Sequence, residues 1–411
     1  MAQVIFAGID VSAPKLDLVC IDEQGIQLAS SRSFPNNLEG ADTLVQVLNL
    51  IAHKFNVNIL NIGLEATSVY GVYLRNFLIG TPQLKPYSVE VYEITPSLVA
   101  GFKKAFGSKL PKTDAIDAYI IAERMRFGHL TPYSQEASVT EPLRQLTRLR
   151  IHLIELLVAE QNRALNLLSL RFSNYKQGKP FSNTFGKASR EVLKEFTPDE
   201  IVQMSVEELA EFIQPHGKNR FANAEEVASA LKQAARRAYR LSPKMQQACE
   251  IALSLTLQNI EHLKRQIKNL DKVITRELRA IPQTLTTVKG FGDVSAAGII
   301  AEISNIKRFK NEAALAQYAG LTWTRYQSGN FDAEERRLTK SGNRYLRYYL
   351  VMAANSLRVH NEEYRAYYQT KYQEVTKHQH KRALVLTARK LVRLVFALLS
   401  KGQIYKRTVM H

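Results

Sequence analysis

Apolar residues in the first third of the chain come in short runs broken by turns. VIFAGIDV, LDLVCID and IQLASSRSF are rich in Val, Ile and Leu, and predict three strands joined by short links, with Gly25 marking the second link. The pattern then changes period. In NLEGADTLVQVLNLIAHK, Leu44, Val47, Leu48 and Ile51 fall on one face and predict a helix. NILNIGLEA reads as a strand, SVYGVYLRNFLI as a helix and VEVYEI as another strand; TPSLVAGFKKAF and KTDAIDAYIIAERMRF close the segment as helices. The predicted order is βββαβαβαα.

Further along, two long stretches keep a three- and four-residue apolar spacing. Leu143, Leu146, Leu149, Leu153, Leu156 and Leu157 mark the first, over 139–173. Ile251, Leu255, Ile260, Leu263, Ile267, Leu270 and Ile274 mark the second, over 244–281. Such helices pair as an antiparallel arm or between subunits. Residues 176–240 read as an insertion at the arm's tip, loop-like from Tyr175 to Lys187 and then built of short helices that include Asp199–Ile213. Near Pro282 the character changes again. VKGFGDVSAAGIIAEI places two glycines in a tight turn before a small-residue helix, resembling a helix-hairpin-helix element. AALAQYAGL, the stretch from Gly342 and the end block HKRALVLTARKLVRLVFALLSKGQIY are further helices. The expected domains are 1–135, 136–281 and 282–411.

Three adjacent strands followed by alternating helices and strands fit a ribonuclease-H/RuvC-like sheet better than a doubly wound dinucleotide fold. No GxGxxG follows the first strand. The fold class expected is therefore α/β plus α: a ribonuclease-H/RuvC-like N-terminal domain, a long helical arm and a mainly helical C-terminal domain. Charge sharpens the picture. The net charge is +18, and residues 241–411 hold 29 basic against 13 acidic side chains, whereas residues 1–135 are close to neutral. Concentrated positive charge is the footprint of a phosphate-backbone partner. With two cysteines, Cys20 and Cys249, a disulfide scaffold and a cysteine-rich zinc module are excluded. No stretch reaches the roughly 18 apolar residues of a membrane helix. The start runs straight into a strand pattern without a basic leader, so a cytoplasmic, membrane-free protein is expected, acting at the nucleoid of a bacterial or archaeal cell.

The carboxylates carry the chemistry. Asp10 ends the first strand in GIDVS and Glu65 a later one in GLEAT, while Asp114 and Asp117 stand at i, i+3 in KTDAIDA. Four acids converging at one end of a sheet repel one another unless cations intervene. Mg²⁺ prefers hard oxygen ligands, and two ions ~4 Å apart clamp the attacking and leaving oxygens of a phosphoryl transfer. Taken singly, each acid also reads as a solvated strand end or helix surface, and for Asp10 alone that reading is preferred; the joint pattern, in this strand order, points to the metal site.

GIDVSAPKLDL, LEATSVYG and KTDAIDA resemble the DEDD domain of the IS110/IS1111 transposase family, relatives of the Piv-type DNA invertases. VKGFGDVSAAGIIAEI, LAQYAGLTWTRYQSG, LTKSGNRYLRYYL and ARKLVRLVFALLSKGQIY resemble that family's C-terminal domain in the same order. The resemblance covers roughly two-thirds of the chain. It departs at Lys289, where the family commonly has Pro, and at Ser68, where it commonly has Gly. It implies that Asp10, Glu65, Asp114 and Asp117 bind Mg²⁺, with Mn²⁺ expected to substitute. It also implies that Ser328, in RYQSGN, is the nucleophile of a recombinase forming a covalent serine–DNA intermediate. Donor and target DNA, a structured noncoding guide RNA and a homo-oligomer, dimer or tetramer, are the implied partners. Lys112, Lys289, Gly290, Gly292, Arg325, Lys340, Arg344 and Arg347 are candidate nucleic-acid contacts. Two other readings compete: a metal-dependent junction-resolving nuclease using water, with Ser328 a turn residue, and a nucleic-acid-binding protein without catalysis.

Overall fold

The computed structural model describes residues 3–65, 69–106, 113–133, 135–218, 220–323, 327–328, 331–332 and 338–405. The chain divides into two compact units, Met1–Ser138 and Val139–His411.

The first unit contains β1 (Gln3–Val11), β2 (Lys15–Ile21), β3 (Arg32–Pro35), α1 (Leu38–Lys54), β4 (Val57–Glu65), α2 (Tyr70–Gly80), β5 (Ser88–Ile94), α3 (Pro96–Phe106) and α4 (Asp114–Arg126). The sheet runs β3-β2-β1-β4-β5. The first three strands pair antiparallel, whereas β1–β4 and β4–β5 pair parallel. This is a mixed α/β sheet, and its elements follow the predicted order βββαβαβαα. Only the end of the predicted IQLASSRSF strand forms. Before it, the Asp22 carboxylate accepts from the amides of Gln24 and Ile26 and holds the chain in a turn.

Alternation along β1 sorts its side chains. Ile5, Ala7 and Ile9 enter one core with Leu44 and Leu48 of α1 and Leu74 of α2. The other face, which carries Gly8 and Asp10, meets α4. A Cβ at Gly8 would lie 2.0 Å from the Ala118 carbonyl oxygen and 2.6 Å from the Ala122 amide nitrogen. Gly63, its partner on β4, would place a Cβ 2.6 Å from Met125 Sδ. Two neighbouring glycines thus make the shallow seat on which α4 rests. Thr113 caps that helix by accepting from the Ile116 amide.

In the second unit, α5 (Gln135–Arg171) and α11 (Pro243–Arg279) are 37 residues each, or about 55 Å long. They pair antiparallel within the chain: Leu143 and Ile151 share a core with Ile274 and Leu278, Ala164 and Leu168 share another with Leu253 and Leu257, and Arg150 bonds Asp271. Between them lie α6 (Tyr175–Gly178), α7 (Lys187–Glu195), α8 (Pro198–Gln203), α9 (Val206–His216) and α10 (Ala224–Arg236). The Asp199–Ile213 stretch is divided into α8 and α9, because Thr197 with Glu200 and Ser205 with Glu208 form two successive capping boxes.

The remainder holds α12 (Asp293–Ile303), α13 (Glu312–Tyr318), β6 (Gln327–Ser328), β7 (Phe331–Asp332), α14 (Arg344–His360), α15 (Glu362–Gln373) and α16 (Gln379–Lys401). Helix α15, which the apolar pattern did not single out, is capped by Asn361. The expected hairpin element keeps its glycine turn, but the helix before it is one 3₁₀ turn, Leu285–Thr287. Around α12 the packing is close: a Cβ at Gly298 would sit 2.2 Å from the Tyr349 ring. Glu302, 2% exposed, joins three helices. It accepts from Arg148 Nε at 2.7 Å and Nη2 at 2.8 Å, and from Asn343 Nδ2 at 2.7 Å. Arg148→Ala leaves this buried carboxylate short of its charge partner. Because Arg148 is itself partly exposed, a loss of about 2 kcal/mol is expected, read as a lower urea midpoint. No described helix is long and apolar enough to cross a membrane.

Candidate active site

The sheet and α4 bring the four sequence-predicted carboxylates to one end of the first unit. Asp10 is the next-to-last residue of β1 and Glu65 the last of β4. The two strands are parallel neighbours, pairing up to Ile9 with Leu64, so both acids leave the sheet at the same edge. Asp114 and Asp117 form the first turn of α4, whose packing on Gly8 brings that turn over the strand ends. The electrostatics report the convergence. The Asp10 carboxyl is raised from 3.8 to about 6, first by burial and then by the charges of Asp117, Glu65, Asp114 and Asp17.

Asp17 was missed in the sequence. It lies directly across from Asp10 in the β1–β2 ladder, is 6% exposed and accepts from the Ser33 hydroxyl. The alternation in KLDL, with a carboxylate between two core leucines, was the available signal. Two lysines complete the arrangement. Lys15 Nζ bonds Asp114 Oδ2 at 2.5 Å and Asp17 Oδ2 at 3.2 Å, and Lys103 bonds Asp117. These bonds raise the Lys15 ammonium above its ordinary value. Among the described residues, no three of these acids are grouped as ligands of one ion; the ammonium groups hold the two α4 carboxylates instead. The donor set nevertheless fits a hard divalent cation: oxygen ligands only, an excess of like charge, and a central carboxyl whose ionised form lacks compensation.

The other candidates fall in the second unit, apart from Lys112, which lies outside the described residues together with Arg325. Ser328 is the second residue of β6, its backbone paired with Phe331 of β7; its side chain is outside the described parts. The segment that contains it is closed at its base. Thr339 donates its amide to Thr322 O at 2.8 Å, and Arg347 Nη1 donates to Ala319 O at 3.0 Å and Lys340 O at 3.1 Å. Gly320 and Gly342 have φ of +65° and +107°, and side chains there would strike the Ser341 and Tyr318 carbonyls. Arg347 thus clasps both sides of the base. Arg344, by contrast, is exposed and stacks on Tyr345. Lys340 and Lys289 are exposed. Gly290 packs against His360, while nothing crowds Gly292 at the start of α12.

Residues 7–173 match the family model for the DEDD-type transposase of IS110, and residues 282–369 match that of the transposase IS116/IS110/IS902 family. The chain is 25% identical over 405 residues to the uncharacterized 44.8 kDa protein of insertion element IS116 from Streptomyces clavuligerus, covering 98% of this chain and 96% of that one. It is 27% identical over 159 residues to the uncharacterized 43.6 kDa protein of insertion element IS110 from Streptomyces coelicolor, covering 38% of each. Among solved structures, T. thermophilus RuvC in complex with a Holliday junction substrate is similar at 17% identity and a TM-score of 0.25, over 32% of this chain and 100% of that one; so weak a likeness carries no argument. The segments with the four carboxylates and with Ser328 each fall inside a match. The chain belongs to the IS116/IS110/IS902 family of transposases.

Proposed function

We propose that this transposase cleaves and rejoins DNA strands through a covalent serine–DNA intermediate, with Mg²⁺ held by Asp10, Glu65, Asp114 and Asp117. The observation that carries the reading is the gathering of these acids around a carboxyl raised to about 6, an arrangement costly to keep without a cation. When bound, Mg²⁺ supplies positive charge to the attacking and leaving oxygens. Binding requires Lys15 and Lys103 to release the α4 carboxylates. Ser328 supplies the nucleophilic oxygen: its hydroxyl loses a proton and forms a P–O bond as the bond to the leaving strand breaks. Attack by a strand-end hydroxyl reverses the step and frees the serine, so rejoining needs no ATP. The C-terminal positive charge draws in donor and target DNA. By resemblance, a structured noncoding RNA pairs with both DNAs, and a dimer or tetramer holds them in the cytoplasm.

Incubation with Mg²⁺, cognate DNA and RNA from the element's flanks is expected to give DNA attached to protein on a denaturing gel, and Ser328→Ala is expected to abolish the adduct. Free cleaved ends without adduct, unchanged in the variant, would replace this reading with a hydrolytic nuclease.

A further inference from the structure

The tip of the arm has a cleft of about 250 Å³ between the segment leading into α7 and the loop after α9. Phe181 and Phe221 line it, with ring centroids 6.1 Å apart, and the first turn of α7 forms one wall. Three cations, Lys187, Lys218 and Arg220, stand around it, all exposed. No carboxylate lines it, and none of the three makes an ion pair among the described residues. Three other cations of the insertion have acidic partners: Arg190 and Lys194 reach Glu261, and Arg240 reaches Asp199. Three uncompensated cations converging on one concave site cost self-repulsion that an anion removes. The absence of acids among the lining residues favours an anion over a metal or a cationic peptide, and a nucleic-acid partner supplies that anion as a phosphodiester.

We propose that this cleft binds a phosphodiester of a nucleic-acid backbone, making the 176–240 insertion a second nucleic-acid contact remote in sequence from the carboxylates. The inference rests on the reading that nucleic acid is the protein's partner. Because backbone phosphates are common to RNA and DNA, the test uses both: a labelled oligouridylate and a labelled DNA duplex, titrated with the full-length protein over a range of salt. The triple variant Lys187→Gln, Lys218→Gln, Arg220→Gln changes exposed side chains only and is expected to melt like the parent. It is expected to bind at least one probe ~10-fold more weakly and to lower the slope of log affinity against log salt by about 2. Loss on the oligouridylate alone assigns the cleft to RNA, and loss on the duplex assigns it to DNA. A variant with the parent's affinity and slope on both probes overturns the inference. If the parent itself binds neither probe, the underlying reading of the protein fails instead.

Discussion

Asp10→Asn is expected to abolish strand cleavage, leave nucleic-acid binding largely intact, and make the metal-free protein more stable. The first effect follows from the position of Asp10 at the centre of the acidic cluster, where removing one charge from the proposed ligand set is expected to lower cleavage by at least about a thousandfold. The second follows from where the positive charge lies, mainly in residues 241–411 and far from Asp10 in sequence. The third follows from linkage. The Asp10 carboxyl titrates near 6 in the folded protein instead of 3.8, so between these values the native state binds more protons than the unfolded state. Its stability therefore falls as pH rises through that window. A shift of this size corresponds to about 3 kcal/mol in full, and partial exposure reduces the expected gain to about 1–2 kcal/mol. In urea with EDTA, the variant should exceed the parent at pH above about 6 and match it below about 4. Added Mg²⁺ should raise the melting temperature of the parent more than that of the variant. A variant that loses nucleic-acid binding while keeping parental cleavage per bound complex would remove Asp10 from the chemistry.

The second large effect is expected at Gly8, which has no side chain to take part in chemistry. β1 is hydrogen-bonded on both sides, to β2 and β4, and cannot move aside. A methyl group at Gly8 would press into the Ala118 carbonyl and the Ala122 amide, both backbone atoms. α4 must therefore lift, and with it Asp114 and Asp117. Gly8→Ala is expected to destabilise the first unit by about 3 kcal/mol or more and to lower cleavage below what the folded fraction explains. Unfolding curves and cleavage per folded molecule separate the two effects. Parental stability would show that α4 does not depend on this seat.

Local pattern carried much of the first unit. The apolar runs and their change of period mark β1, β2, α1, β4, α2, β5, α3 and α4 in order, because alternation and helical spacing each follow from one buried face. β3 was overextended because a side-chain turn at Asp22, not apolar content, decides where it begins. In the insertion, capping at Ser205 overrode a continuous helical pattern. Asp10, Glu65, Asp114 and Asp117 could be picked out because strand ends and a first helical turn are local features. Asp17, Lys15 and Lys103 could not: their roles depend on which residues stand across a ladder or across from a neighbouring helix.

The sequence by itself determined the order and type of the main elements, the concentration of positive charge toward the C-terminus and the acidic residues from which a phosphoryl-transfer site could be built. The tertiary structure decided that two paired glycines let α4 lie close enough to gather those acids, that two lysines balance them, and that Arg347 ties the base of the Ser328 segment. It also decided that three cations in the insertion face one cleft. The physical reason is range: propensity and periodicity act over a few neighbouring residues, whereas electrostatic coupling and close packing depend on through-space distances that only the folded chain sets.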